Sequence, residues 1–270
     1  MDRTREIRPA APARGIVFSP KPDGHLARRR VLPSPALAPF VHHYWWLRWE
    51  LRTPYTAEAL PHPAGQIVVE REGGERRTTI AGVRTGRLTK TLEGAGDVFG
   101  MTFRPAMFQP ILRAAMRSIT DRVVPARDVL GADVDAWAVA MHTERELAPK
   151  MALAERFLLE RLPRVPAKVA QLRDLVERMA VDRALLRVED VAEAMGIDVR
   201  ALQRRFRRYV GVTPKWVVRR YRLHEAAEQL RGAHPPTLAA LAAELGYADQ
   251  AHFARELKAA VGRTPGELAR

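Results

Sequence analysis

The chain has 270 residues, with 45 Lys and Arg against 31 Asp and Glu for a formal net charge of +14, 47% apolar residues and no cysteine. That length suits two hydrophobic cores, and the lack of cysteine excludes disulfides, thiolate metal sites and thiol nucleophiles together. No apolar run approaches the roughly 20 residues of a membrane span, and Arg3, Arg5 and Arg8 lead into no apolar signal segment, so a cytoplasmic protein without membrane contact is expected.

Residues 1–39 are broken by Pro9, Pro12, Pro20, Pro22, Pro33, Pro35 and Pro39. They read as a Pro/Arg-rich arm with one short strand near Gly15-Ile16-Val17-Phe18, because proline interrupts regular structure and termini pack loosely. From Phe40 to Phe103 the pattern is that of short strands. Val41 to Leu51 is dense in aromatic residues, Gln66 to Glu70 is β-branched, and Thr78 to Ile80 and Asp97 to Phe103 follow glycine-bearing turns. A small antiparallel barrel or sandwich is expected. Helices are expected at Ala106 to Met116, Val134 to Leu147 and Lys150 to Leu162, and Pro163-Arg164-Val165-Pro166 reads as a linker. Residues 40–165 are thus taken as one β-rich domain with C-terminal helices.

Beyond the linker, Asp198 to Arg222 carries nine cations and no acid after Asp198 itself: Arg200, Arg204, Arg205, Arg207, Arg208, Lys215, Arg219, Arg220 and Arg222. Val199, Leu202, Phe206 and Tyr209 recur at helical steps and would share a buried face, leaving Arg200, Gln203, Arg204 and Arg207 on another. Asp198 suits an N-cap, and Gly211 with Thr213-Pro214 supplies a stop. Arg and Gln have the forked geometry that reads guanine and adenine edges in a major groove. The basic excess as a whole is not local: residues 167–270 hold 19 Lys and Arg against 13 Asp and Glu. Only the run at 199–222 therefore argues for a polyanion site.

This unit occurs twice. Val191-Ala192-Glu193-Ala194-Met195-Gly196 is echoed fifty positions on by Leu241-Ala242-Ala243-Glu244-Leu245-Gly246. After the turn the offset is fifty-one: Asp198 matches Asp249, Leu202 matches Phe253, Arg204 matches Arg255, Phe206 matches Leu257, Gly211 matches Gly262 and Thr213-Pro214 matches Thr264-Pro265. A short brace helix, a glycine turn and a capped second helix form the helix-turn-helix arrangement.

Leu202-Gln203-Arg204-Arg205-Phe206, Gly211-Val212-Thr213-Pro214 and Gly246-Tyr247-Ala248-Asp249-Gln250-Ala251-His252-Phe253 together resemble the DNA-binding domain of the AraC family of bacterial transcription regulators, over residues 167–270. The resemblance implies two helix-turn-helix units joined by a rigid helix, here Pro214 to Gly232, and entering successive major grooves. By position it implies base contacts from Arg200, Gln203, Arg204, Gln250 and Arg255. Phosphate contacts are expected from Arg205, Arg207, Arg208, Lys215, Arg219 and Lys258. Ala251 and Ala254 leave the second helix poorer in polar reach. The family also implies a cupin-like, effector-sensing barrel before the DNA-binding part, dimerisation through the helical pair, and contact with RNA polymerase. The resemblance there, from Leu60-Pro61-His62-Pro63 through Phe103-Arg104-Pro105, is more general. The fold class expected is α+β, with an all-α C-terminal domain, and residues 167–270 are expected to fold and bind DNA alone.

His42, His43 and His62 are the candidate metal ligands of the barrel, but adjacent strand residues point to opposite faces, so no metal and no cofactor is expected. No Walker-type loop, G-x-S-x-G or H-E-x-x-H is present, and no enzyme reading has a residue to rest on. Trp45, Trp46 and His62 are the candidates for a small-molecule effector pocket. Two further readings remain open: a sequence-indifferent, nucleoid-type DNA binder, and a sensor whose second helix-turn-helix is partly vestigial.

Overall fold

The computed structural model describes residues 16–18, 21–232 and 234–269; the first part of the expected arm, residues 1–15 with 19 and 20, lies outside them. The described strands form two antiparallel sheets. One has the order β1 (Ile16–Phe18), β4 (Tyr55–Ala59), β7 (Leu88–Leu92). The other has six strands in the order β2 (Gly24–Val31), β3 (Val41–Leu51), β8 (Ala95–Phe103), β5 (Gln66–Glu72), β6 (Glu75–Ala81), β9 (Val123–Pro125). The β-rich N-terminal part is thus a sandwich. Residues 24–31, expected within the loose arm, are instead an edge strand paired along its length with β3, from Gly24 opposite Leu51 to Val31 opposite Tyr44. Arg28, Arg29 and Arg30 hide this strand from a reading based on apolar alternation, and an edge position tolerates them.

β3 carries both faces of the architecture. Trp45, Trp49 and Leu51 turn into the layer between the sheets, with Tyr55, Leu92 and Val98. Tyr44 and Trp46 turn the other way, with Ile67, Phe99 and Met101 under the helices. Gly96 and Gly100 of β8 lie beneath the two inter-sheet indoles. A Cβ at position 100 would fall 2.0 Å from Trp45 Cε2, and one at 96 would fall 2.3 Å from Trp49 Cζ2. The absence of side chains there is what lets the rings fill the sandwich, so its interior is aromatic core.

The helical cover is α1 (Gln109–Leu112), α2 (Ala126–Leu130), α3 (Val134–Thr143) and α4 (Leu147–Leu159). The helix expected over Ala106 to Met116 shrinks to the single turn α1, because Ala106 and Arg113 take left-handed backbone at φ 65° and 57°. The indole of Trp137 on α3 stacks on Phe157 of α4 at 4.3 Å. Beneath them Lys150, 1% exposed, donates to Asp97 at 2.9 Å, and Arg71 takes the other carboxylate oxygen at 2.6 Å. A lysine this deep is stable only because it is paired.

The alternation of β3 slips once, at a bulge between Val41, opposite Phe103, and His43, opposite Thr102. The extra residue is His42, and the bulge overturns the expectation that His42 and His43 diverge: their Nδ1 atoms are 2.7 Å apart, and Arg30 Nη2 lies 3.2 Å from His43. The guanidinium disfavours a cation there, and among the described residues no group of three His, Asp or Glu could hold a metal ion. Burial, then Arg30, His42 and His62, push the His43 imidazole from 6.5 down to about 2; burial also lowers His142. His43 stays neutral in the folded protein at pH values where the unfolded chain takes up protons. Its contribution to stability is therefore fully present above the unfolded value of 6.5 and is lost as pH falls below it, by up to about 1.4 kcal/mol per pH unit, and His142 acts in the same direction. Urea unfolding between pH 7.5 and 5.5 is expected to show this decline and a shallower one in His43→Gln; identical slopes would refute it.

The C-terminal part is helical: α5 (Ala167–Arg178), α6 (Val188–Ala194), α7 (Val199–Arg205), α8 (Pro214–Leu230), α9 (Leu238–Glu244), α10 (Gln250–Val261) and α11 (Pro265–Leu268). It has two apolar clusters, one around Leu202, Phe206 and Val217, the other around Leu223, Phe253 and Leu257. Neither is self-contained. Val83, Ala106 and Met107 from the β-rich part complete the first, and Leu60, 1% exposed, enters the second. Polar contacts follow the same seam: Arg104 with Glu177 at 2.6 Å, Thr120 Oγ1 to the Gly211 carbonyl at 2.7 Å, and Arg220 to the Thr85 carbonyl at 2.6 Å.

Candidate nucleic-acid interface

Each helix-turn-helix unit is built by local chemistry. In the first, Asp198 accepts from the Ala201 N–H at 2.8 Å and caps α7, a bond that holds the Asp198 carboxyl below its ordinary range. The helical run then continues as a π-turn over Phe206–Val210, closed by the Gly211 N–H on the Phe206 carbonyl at 2.8 Å. This wider turn buries Phe206, Tyr209 and Val210 together while Arg207 and Arg208 stay outside. Gly211 follows at φ 98°, a left-handed stop that favours glycine. In the second unit Asp249 accepts from the His252 N–H at 2.6 Å, Phe253, Leu257 and Val261 are buried, and Gly262 ends the helix at φ 80°. Thr213 and Thr264 cap α8 and α11 through the N–H groups of Trp216 and Glu267.

The candidate base readers lie on the open faces of these helices. Arg200, Arg204, Gln250 and Arg255 are exposed and Gln203 is half-buried at the edge of its face. Around them Arg207, Arg208, Lys215 and Lys258 are exposed and Arg205 is half-buried. Among the described residues, no acid stands in an ion pair with Arg200, Arg204, Arg205, Arg207, Arg208, Lys215, Arg255 or Lys258, whereas most other arginines of the C-terminal part are engaged. Eight cations outside any ion pair, on two capped helices and the start of their joining helix, form a surface suited to phosphate and base edges.

The other three cations of the run serve the fold. Arg219 donates from Nε to Glu256 of α10 at 2.5 Å, so the expected phosphate contact already has a protein partner. Arg220, 5% exposed, lies 4.7 Å from the Trp216 ring, and burial pushes its guanidinium down to about 10. Arg222 donates to the Leu186 carbonyl. Glu256, the Thr85 carbonyl that accepts from Arg220, and Leu186 are 37, 135 and 36 positions away in sequence, a separation that local pattern does not reach.

The three effector-pocket candidates are not brought together. Trp45 and Trp46 occupy opposite faces of β3, inside two different apolar layers. His62 lies in the loop after β4 and stacks on His224 of α8 at 4.3 Å, in the seam between the two parts of the chain. Both indoles are half-buried and pack against these layers, because β3 is covered on both sides, which the run of aromatic residues alone does not reveal.

Capped helix pairs, each with a basic second helix, define a double helix-turn-helix protein of the DNA-binding class. Residues 191–270 match the family model described as helix-turn-helix domain, and residues 29–125 match a domain of unknown function, DUF6597. The C-terminal part is a helix-turn-helix domain. No curated protein matches the chain. Among solved structures it is similar to a transcriptional regulator with an AraC-type DNA-binding domain from Chromobacterium violaceum, at 23% identity over 37% of this chain and 93% of that one, with a TM-score of 0.32. It is also similar to the C-terminal domain of AraT, a response regulator from Geobacillus stearothermophilus, at 22% identity over 40% and 88%, with a TM-score of 0.35. The third is ToxT from Vibrio cholerae with an unsaturated fatty acid bound, at 10% identity over 93% and 96%, with a TM-score of 0.40. No helix among the described residues is long and apolar enough to cross a membrane.

Proposed function

We propose that the protein regulates transcription by sequence-specific docking of α7 with its π-turn, and of α10, in successive major grooves on one face of DNA. The observation that carries this reading is the set of uncommitted cations on two capped helices. Arg200, Gln203, Arg204, Gln250 and Arg255 read base edges; Arg205, Arg207, Arg208, Lys215 and Lys258 meet phosphates and fix the register. Residues 40–165 form the regulatory half and residues 167–270 the reading half, with RNA polymerase and a second copy of the chain as partners. Ala251 and Ala254 favour a lighter reading role for the second unit, and the cost of each base contact measures it.

Selection of bound fragments from the source genome supplies an operator, and its affinity against random DNA tests the reading. Arg204→Ala is expected to lose about 1–3 kcal/mol at one base position, while Arg208→Ala weakens operator and random DNA alike. Equal losses on both DNAs for Arg204→Ala would overturn the base-reading role.

A further inference from the structure

The two helix-turn-helix units have separate apolar clusters, so no common core sets the angle between their second helices. What spans them is α8, the β-rich part that reaches into both clusters, and a set of ionic contacts. Arg219 of α8 donates to Glu256 on the inner side of α10, and the Glu256 side chain is only 10% exposed. The same carboxylate lies 3.7 Å from His252, one turn earlier on α10. On the opposite side of the joint, Arg183, in the turn before α6, donates to the carboxylate of Glu244 at 2.7 Å and to its carbonyl at 3.1 Å, at the end of α9. Arg183 also pairs with Glu225 of α8. Two arginines, one from the first unit and one from the joining helix, thus hold the two helices of the second unit.

A carboxylate on a DNA-reading helix is unfavourable near phosphates unless it has another task. Resting on the double-groove reading above, we infer that Arg219–Glu256 and Arg183–Glu244 are positioning pairs that lock the second unit at one setting relative to the first, and that Arg219 does not serve as a phosphate contact. The operator spacing accepted by the protein is then encoded partly in these pairs, away from the bases.

The two roles for Arg219 predict opposite signs. If Arg219 were a phosphate contact restrained by Glu256, Glu256→Gln would free it and tighten DNA binding. As a positioning residue it gives the reverse: Glu256→Gln and Arg219→Gln each weaken the two-groove operator, by about tenfold for a lost coupling of this kind. Both leave a fragment carrying only the first half-contact within about twofold, as expected for residues remote from it. The slope of log affinity against log salt is unchanged in Arg219→Gln, whereas loss of a phosphate contact would reduce it by about 0.9.

A second measurement is independent of DNA. The chain has no cysteine, so spin labels at Ala194→Cys and Ala259→Cys, on exposed positions of α6 and α10, report the separation of the units in the full free protein. A single narrow distance is expected, broadened by Glu256→Gln and by Arg183→Gln, and narrowed again when Arg219→Glu is combined with Glu256→Arg. An unbroadened distance in Glu256→Gln, or tighter operator binding by that variant, overturns the inference. Loss of operator preference by the unmodified protein would defeat the base-reading proposal alone, and the broadened distances would still support the lock.

Discussion

Inserting five base pairs between the two half-contacts of a selected operator is expected to reduce affinity by about two orders of magnitude, through loss of roughly two base contacts at 1–3 kcal/mol each. Half a helical turn of DNA carries the second groove segment to the far side of the duplex. α8 cannot follow it. The helix has 17 residues without internal proline or glycine, is about 25 Å long at 1.5 Å per residue, and has Val217, Val218, Leu223, Ala226, Ala227 and Leu230 buried along it. Arg219–Glu256 restrains its first half and Arg183–Glu225 its second. What remains is a weak complex held by the first unit and phosphate contacts, with strong salt dependence. Titrations on the two DNAs decide the matter, and equal dissociation constants would mean that α10 does not read DNA.

The second large effect comes from a residue far from DNA in the chain. Leu60→Asp is expected to destabilise the protein by about 3–5 kcal/mol, since it removes a buried side chain and places a carboxylate in an apolar cluster. Leu60 belongs to the β-rich part by sequence, but it sits in the cluster of Leu223, Leu241, Phe253 and Leu257. The damage therefore falls on the second helix-turn-helix unit, and operator affinity drops with stability. Leu60→Met keeps the volume and costs less than about 1.5 kcal/mol. Urea unfolding and operator titration of both variants test this; a Leu60→Asp protein with unaltered DNA affinity would show that the second unit holds together without the β-rich part. By the same reasoning the isolated fragment 167–270 exposes apolar surface that Leu60, Val83, Ala106 and Met107 cover in the full chain. It is expected to be less stable than its repeated architecture suggests.

What was legible in the sequence was the local chemistry. Asp198 and Asp249 cap helices through N–H groups three residues on, and Gly211 and Gly262 stop them, so four residues in a row suffice to recognise each device; Thr213 and Thr264, read only as part of the stop, also cap the helices that follow. Strands with strong apolar or β-branched content, such as β3 and β5, were equally plain. Leu88-Thr89-Lys90-Thr91-Leu92 was not, because β7 is mostly exposed and reads as a polar loop. The histidine cluster depended on a bulge, which shifts side chains by one position without any signal of composition. The cation run was read as one surface, although Arg219, Arg220 and Arg222 are held by groups that only the tertiary fold brings near. Charge type was visible; charge assignment required the partners.

The shared clusters along the seam also bear on how such a protein can be altered or can diverge. Where two domains meet only through a tether, either can be exchanged for a homologous one and the tether absorbs the mismatch. Here a reading half grafted onto a foreign partner would arrive with gaps where Leu60, Val83 and Met107 had been, and with Arg220 lacking the Thr85 carbonyl. Recombination at the Pro163–Pro166 junction is therefore a poor route to new regulators of this kind, and substitutions on the two sides of the seam are bound to change in step. A chimera would recover only if the graft carried the loops around positions 60, 84 and 106 along with the helices they complete.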